Sequence, residues 1–279
     1  MKRTPQQIFG IAAGSLFGAL SLTTSANAMT LVNTELVLSI DTSASIDASE
    51  YDLQIQGYID AFDSTDIRNQ ISSFSKGVAV AINTWGSGIK QSAMGSFFHL
   101  TDDVSINNFI NSALTSLKGG IGSGGTNIGA GIQDGTAALL GNDFVGDRLV
   151  IDVSGDGGSF DLPGLVNARD NAVANGININ GLPILASPFS TLDTYYTDYV
   201  IGGTGAFVEP ANGFANFASA VKTKISREIA TPDPTPTPTP DPTPTPDIES
   251  TPEPTSLLGL GLVSLIGAGA ALKRKQREI

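Results

Sequence analysis

Three stretches of the chain are apolar at nearly every position: residues 35–40 (ELVLSI), 77–85 (GVAVAINTW) and 148–154 (RLVIDVS). Short runs of this kind, rich in Val and Ile, predict strands buried on both faces. Residues 177–184 (ININGLPI) predict a fourth strand. Between these runs the apolar spacing lengthens to three and four. Tyr51, Ile55, Tyr58, Ile59 and Phe62 share one face of a helix. Its start is marked by Asp47-Ala48-Ser49-Glu50, an N-cap acid with Glu three positions on. Helical spacing recurs over residues 104–117, 128–140 and 162–175. A final helix from about Gly213 aligns Phe214, Phe217, Val221, Ile225 and Ile229. Residues 96–100 predict a short edge strand, and residues 206–208 a last short strand.

Strands alternating with helices predict an α/β domain with a mostly parallel central sheet, flanked by helices on both faces in the Rossmann-like manner. Open sheets of this kind bind ligands beyond the carboxyl ends of their strands. Asp41 closes the first strand and Asp156 follows the third, so both acids belong at that edge.

Composition narrows the chemistry. The 279 residues include no cysteine, which excludes disulfides, thiol catalysis and Cys-ligated metals. A single histidine, His99, excludes multi-His metal sites and disfavours a Ser-His-Asp hydrolase. Net charge is -12. Residues 29–230 alone hold 21 acidic and 9 basic side chains. Such a surface argues against nucleic acid as partner.

The two ends do not belong to the domain. Residues 1–28 carry Lys2 and Arg3, an apolar run over residues 8–22 and Ala26-Asn27-Ala28, the pattern of a cleaved secretory signal. The domain is then residues 29–230. Residues 231–250 place proline at almost every second position, alternating mainly with Thr or Asp, and predict an extended linker. Pro252-Glu253-Pro254 follows, then residues 255–272 without a charge, then Lys273-Arg274-Lys275. The uncharged stretch is long enough for one membrane helix, and the basic end sets its cytoplasmic side. Residues 251–279 resemble the PEP-CTERM sorting signal of bacteria that export extracellular polymer. That resemblance implies recognition of Pro252, Glu253 and Pro254 by an exosortase-type membrane peptidase. It also implies transient anchoring in the inner membrane before display on the cell surface, outer envelope or extracellular matrix.

Three loops carry the candidate chemistry. Asp41-Thr42-Ser43-Ala44-Ser45 directly follows the first strand. Gly125-Thr126-Asn127 ends a Gly-rich loop, and Ser154-Gly155-Asp156-Gly157 follows the third strand. Three hydroxyls and two carboxylates make an all-oxygen donor set suited to a hard divalent cation. Asp-x-Ser-x-Ser paired with Gly-Thr and Gly-Asp-Gly resembles the von Willebrand factor A-type family and its metal-ion-dependent adhesion site. The resemblance implies that Ser43 and Ser45 bind the metal directly. It gives Thr126 a direct or water-mediated role and has Asp41 and Asp156 act largely through water. The implied ion is Mg²⁺, with Mn²⁺ and Ca²⁺ as alternatives. Its remaining position would take an acidic group of a protein or polysaccharide. Val150-Ile151-Asp152-Val153, Asn180-Gly181-Leu182-Pro183-Ile184, Tyr195-Tyr196 and Val200-Ile201-Gly202-Gly203 are similar to a bacterial subgroup of these domains with no assigned function.

Other signals weigh less. Gly120-x-Gly122-x-x-Gly125 matches a dinucleotide fingerprint but follows a helical pattern where a strand is required. His99 reads as structural, Trp85 as core or partner contact, and Asp102-Asp103 as a helix cap. Asp152 reads either as a paired buried acid or as support for the metal loop. A metal-dependent hydrolase using Asp41 is the alternative enzyme, with Lys118 and Arg148 as the nearest basic residues in sequence; an aspartyl-phosphate enzyme of the Asp-x-Asp type would need a carboxylate where Ser43 stands. The expected function is a non-enzymatic adhesion module. A structural surface protein with a loop-stabilising metal is the second expectation.

Overall fold

The structure is a computed structural model that describes residues 28–185 and 191–230. Nearly all of the expected signal, the linker, Pro252-Glu253-Pro254 and the segment 255–272 lie outside the described residues. Among the described residues, no helix is long and apolar enough to cross a membrane.

The apolar runs form the centre of the sheet. Strands β2 (Thr34–Asp41), β3 (Val78–Trp85), β7 (Leu149–Gly155) and β8 (Ile177–Pro183) pair in parallel, in the order β3-β2-β7-β8. Every residue of β2 and β3 is buried. Two short strands, β4 (Ile89–Gln91) and β5 (Phe98–Leu100), run antiparallel along the outer side of β3. Outside this sheet, β1 (Thr30–Val32) pairs in parallel with β6 (Phe144–Gly146), a small element the apolar pattern does not announce.

Alternation along the strands divides the core in two. Leu36, Leu38 and Ile40 of β2, with Val80 and Ile82 of β3, face helices α1 (Ala48–Asp63), α3 (Asp103–Phe109) and α7 (Phe217–Ile229). Val37, Ala81, Trp85, Ile151 and Val153 face α4 (Ile128–Leu140) and α5 (Leu162–Ala174). The helix starts follow the sequence signals. Asp47 accepts from the Ser49 and Glu50 amides while Glu50 reaches back to the Asp47 amide. Asp102 caps α3 through the Ser105 amide. Helices α1 and α7 approach closely at Gly57, where a methyl group would lie 2.6 Å from Phe217 Cδ1.

Two expectations need correction, and two further helices appear. Residues 206–208 form no strand; Val208 makes a single bridge to Gly181, and Gly202 and Ala211 make similar single bridges along β8. The helical stretch from Asp103 changes to a π turn (Ile110–Leu114) and a 3-10 turn (Thr115–Leu117). A helix α2 (Thr65–Ser73) intervenes before β3, buried only at Ile67 and Ile71. A short helix α6 (Leu192–Tyr195) running into a π turn (Tyr196–Val200) precedes the bridging segment.

Asp152 resolves as a paired buried acid. It shares the face of Val150 and Ser154, beneath α7, where Lys224 Nζ lies 2.6 Å from Asp152 Oδ1 and 2.6 Å from Glu228 Oε1. All three side chains are fully buried. The hydrogen bond of Lys224 goes to Glu228, which also accepts from Asn180 Nδ2. Burial, and then the charge of Asp152, push Glu228 up to about 8. Folding therefore favours the protonated form of Glu228.

Candidate metal-ion site

The site begins where β2 stops. Asp41 is fully buried, and its Oδ1 accepts from the Ser43 amide at 2.7 Å. Thr42 turns the other way, sending its amide and hydroxyl to the Trp85 carbonyl. That turn leaves Ser43 and Ser45 on one side, with their Oγ atoms 3.1 Å apart. The Gly-rich loop packs against this turn through Ala44 N to Gly124 O and Ser123 N to Thr42 O, each 2.9 Å. Glycine is required at position 122, where a Cβ would lie 2.1 Å from the Ser43 carbonyl.

These contacts bring four of the five expected donors into one chain. Thr126 Oγ1 donates to Ser43 Oγ at 3.3 Å, Ser43 Oγ meets Ser45 Oγ, and Ser45 Oγ donates to Asp156 Oδ1 at 2.7 Å. Asp41 lies behind them, and its second oxygen, Oδ2, is buried with no hydrogen-bond partner. The Gln54 amide holds the Asp41 carbonyl at 2.9 Å from α1.

Burial dominates the electrostatics. It pushes Asp41 up to about 7, against the hydrogen bonds from Ser43, while the nearby Asp156 adds to the rise and Lys90 opposes it. Asp156 is raised by burial, less its bond from Ser45, with a further rise from Glu50. Two buried acids therefore lie beside three hydroxyls, and one of them, Asp41, has an oxygen without a partner. The set fits a hard divalent ion: all donors are oxygen, and the unpaired Asp41 Oδ2 is the kind of group a dication or its bound water would satisfy. Among the described residues, no three His, Asp or Glu side chains converge into a metal cluster. Hydroxyls supply most of this donor set instead.

The remaining candidates separate cleanly. Trp85 is core, with Nε1 donating to Ser39 Oγ. His99 Nε2 bonds to the Lys76 carbonyl, a structural role. Lys118 bonds to Gln56, and Arg148 donates to the Ala230 carbonyl at the opposite edge of the sheet. Neither supplies a cation to the site. Lys90 does, and sequence reading missed it: its ammonium crosses Gly86 to the Thr42 carbonyl. Only the sheet reveals this, because β4 folds back beside the end of β3. Phe160 was also missed; it stands 64% exposed over Gly125, with its amide on the Thr126 carbonyl.

A family model described as "Protein of unknown function (DUF1194)" matches residues 31–233. The chain belongs to this family. No curated protein matches it. Solved structures do. The vWF domain of the type V pili tip protein Mfa5 from Porphyromonas gingivalis superposes with a TM-score of 0.51 at 12% identity. The match covers 73% of this chain and 98% of that one. Proximal thread matrix protein 1 from the mussel byssus, solved with a zinc-occupied MIDAS motif, gives 0.52 at 15% identity over 72% of this chain and 47% of that one. The pilus adhesin SpaC from Lactobacillus rhamnosus GG, in its open conformation, gives 0.51 at 12% identity over 71% of this chain and 30% of that one. The chain spans about a third of the adhesin and about half of the byssus protein. At these identities the likeness is one of fold. This member of the family has the von Willebrand factor A-type fold, with its candidate donors at the carboxyl edge of the sheet.

Proposed function

We propose that the protein is a surface-displayed binding module that uses one divalent cation to hold an acidic group of its partner. Ser43, Ser45 and Thr126 would hold the ion, with Asp41 and Asp156 acting largely through water. Bound there, the ion supplies a positive Lewis-acid centre that accepts a carboxylate from a protein or an acidic polysaccharide. The observation that carries this reading is the chain of contacts through Thr126, Ser43, Ser45 and Asp156 beside the unpaired Asp41 Oδ2. The domain is strongly acidic, so a metal bridge suits an acidic partner that direct contact would repel. Mg²⁺ is the proposed ion. A module of this kind would be exported by the signal at residues 1–28. It would then be carried on the linker 231–250 and processed near Pro252-Glu253-Pro254 by an exosortase-type peptidase, after anchoring through residues 255–272.

A purely loop-stabilising metal is the weaker reading. The three loops are already joined without one, through Ala44 N to Gly124 O, Ser123 N to Thr42 O and Phe160 N to Thr126 O. Calorimetric titration of Mg²⁺ and Mn²⁺ into the metal-stripped chain tests the proposal, with Asp41→Ala and Thr126→Ala alongside. One saturable site, lost or much weakened in both variants while the fold persists, is expected. Equal binding by all three proteins, or none by any, refutes it.

A further inference from the structure

The Tyr195-Tyr196 pair, singled out in the sequence, touches the site from below. Tyr196 opens the π turn Tyr196–Val200, is fully buried, and its hydroxyl makes no hydrogen bond. Asp41 Oδ2 is equally buried and equally unpaired. Gly155 brings the two together. A Cβ on Gly155 would lie 2.7 Å from Asp41 Oδ2 and 2.9 Å from the Tyr196 hydroxyl, so both atoms border one point beside its bare Cα. Neither atom bonds the other, and two oxygens that border one point are within reach of one bridging water. Gly181 makes room for the ring itself, since a Cβ there would lie 2.6 Å from Tyr196 Cδ1. Tyr195 grips the other side of the same loop: its hydroxyl accepts from the Ser159 amide at 3.1 Å, and its ring rests on Gly158. The loop that carries Asp156 is thus held between consecutive tyrosines.

We infer that Tyr196 is a positioning residue for the metal site, donating to Asp41 Oδ2 through one water. The hydroxyl is a suitable donor, because a tyrosine keeps its proton throughout the neutral range. With Ser43 N on Oδ1 and a water shared with Tyr196 on one lone pair of Oδ2, the carboxylate has one orientation and keeps a lone pair on each oxygen for the ion or its water. Partners of this kind, which orient a metal-binding group, typically change affinity by about 10–100-fold when removed. The inference rests on the cation reading above, although the contact itself does not require a metal.

The test combines two measurements on the full chain. In chelator, thermal unfolding of wild type, Tyr196→Phe, Asp41→Asn and the double variant forms a cycle. In Mn²⁺, electron paramagnetic resonance counts free ion for wild type, Tyr196→Phe and Tyr195→Phe. Tyr196→Phe keeps the ring and so the packing. The expected result is a non-additive cycle and Mn²⁺ binding weakened about tenfold or more in Tyr196→Phe. An additive cycle overturns the contact. A coupled cycle with unchanged Mn²⁺ affinity overturns the positioning role. Failure of wild type to bind Mn²⁺ overturns the cation reading and the positioning role with it, while the cycle still reports on the contact.

Discussion

Ser45 donates to Asp156 across 2.7 Å, joining loops that lie 111 residues apart in the chain. The bond is the last link in the run from Thr126 through Ser43 and Ser45 to Asp156, and Ser45 itself is exposed. Its contribution to folding is therefore small, about 0.5–1.5 kcal/mol. Its contribution to ion binding is larger, because the same hydroxyl is a proposed ligand. Ser45→Ala should leave the melting temperature of the metal-free chain nearly unchanged and weaken Mg²⁺ binding at least tenfold by calorimetry. A large loss of stability with normal binding would show the hydroxyl to be a structural tie.

Ion binding should also appear in stability. A ligand that binds only the folded chain stabilises it by about 2.7 kcal/mol at a hundred times its dissociation constant. Wild type should melt higher in Mg²⁺ than in chelator, by several degrees. Asp41→Ala should show no such shift. An equal rise in both proteins would point to a site elsewhere.

The buried cluster beneath β7 predicts a pH dependence. Burial and Asp152 raise Glu228 from 4.5 to about 8, so folding favours its protonated form. The stabilisation from that group is complete below about pH 4.5 and is lost as pH rises through 8. Glu228→Gln mimics the protonated state. The difference in melting temperature between Glu228→Gln and wild type should therefore move in favour of the variant from pH 5 to pH 8.5. A constant difference across that range would refute the raised titration of Glu228.

Lys224→Met removes the one ammonium between two buried carboxyls. Breaking a buried ion pair from one side typically costs about 3–5 kcal/mol. Denaturant unfolding should show a loss of that order. A loss below about 1 kcal/mol would mean that the carboxyls find other partners.

Gly57→Ala tests the helix contact. The added methyl falls 2.6 Å from Phe217 Cδ1, closer than van der Waals contact permits. Separating α1 from α7 should cost about 1–3 kcal/mol, outweighing the gain in helix propensity.

The strands and the principal helices were legible because their signals are local. Residues 128–140 were read as a helix and are α4 (Ile128–Leu140), since Asn127 caps it and Gly141 ends it. The gathering of Asp41, Ser43, Ser45, Thr126 and Asp156 at one edge was legible because each sits beside a strand end or a Gly-rich turn; that they hold an ion is the proposal. Lys90 and Tyr196 were not legible, because each passes a bare glycine, Gly86 or Gly155, to reach residues far away in the chain, and no local spacing encodes that approach. Helix α2 escaped notice because it buries only two apolar residues, too few to mark a period. Residues 206–208 read as a strand yet make only one bridge, at Val208, because the chain there meets β8 at isolated points.

Those isolated points have a consequence for crowding. The outer rim of β8 is occupied by Gly202, Val208 and Ala211, and that of β3 by the three-residue strands β4 and β5. A long open rim invites neighbouring molecules to add strands to one another, the route to fibrous aggregates. Here irregular chain blunts one side and short antiparallel pieces blunt the other. Among the described residues, neither rim of this sheet offers a neighbouring copy a long run of unpaired backbone.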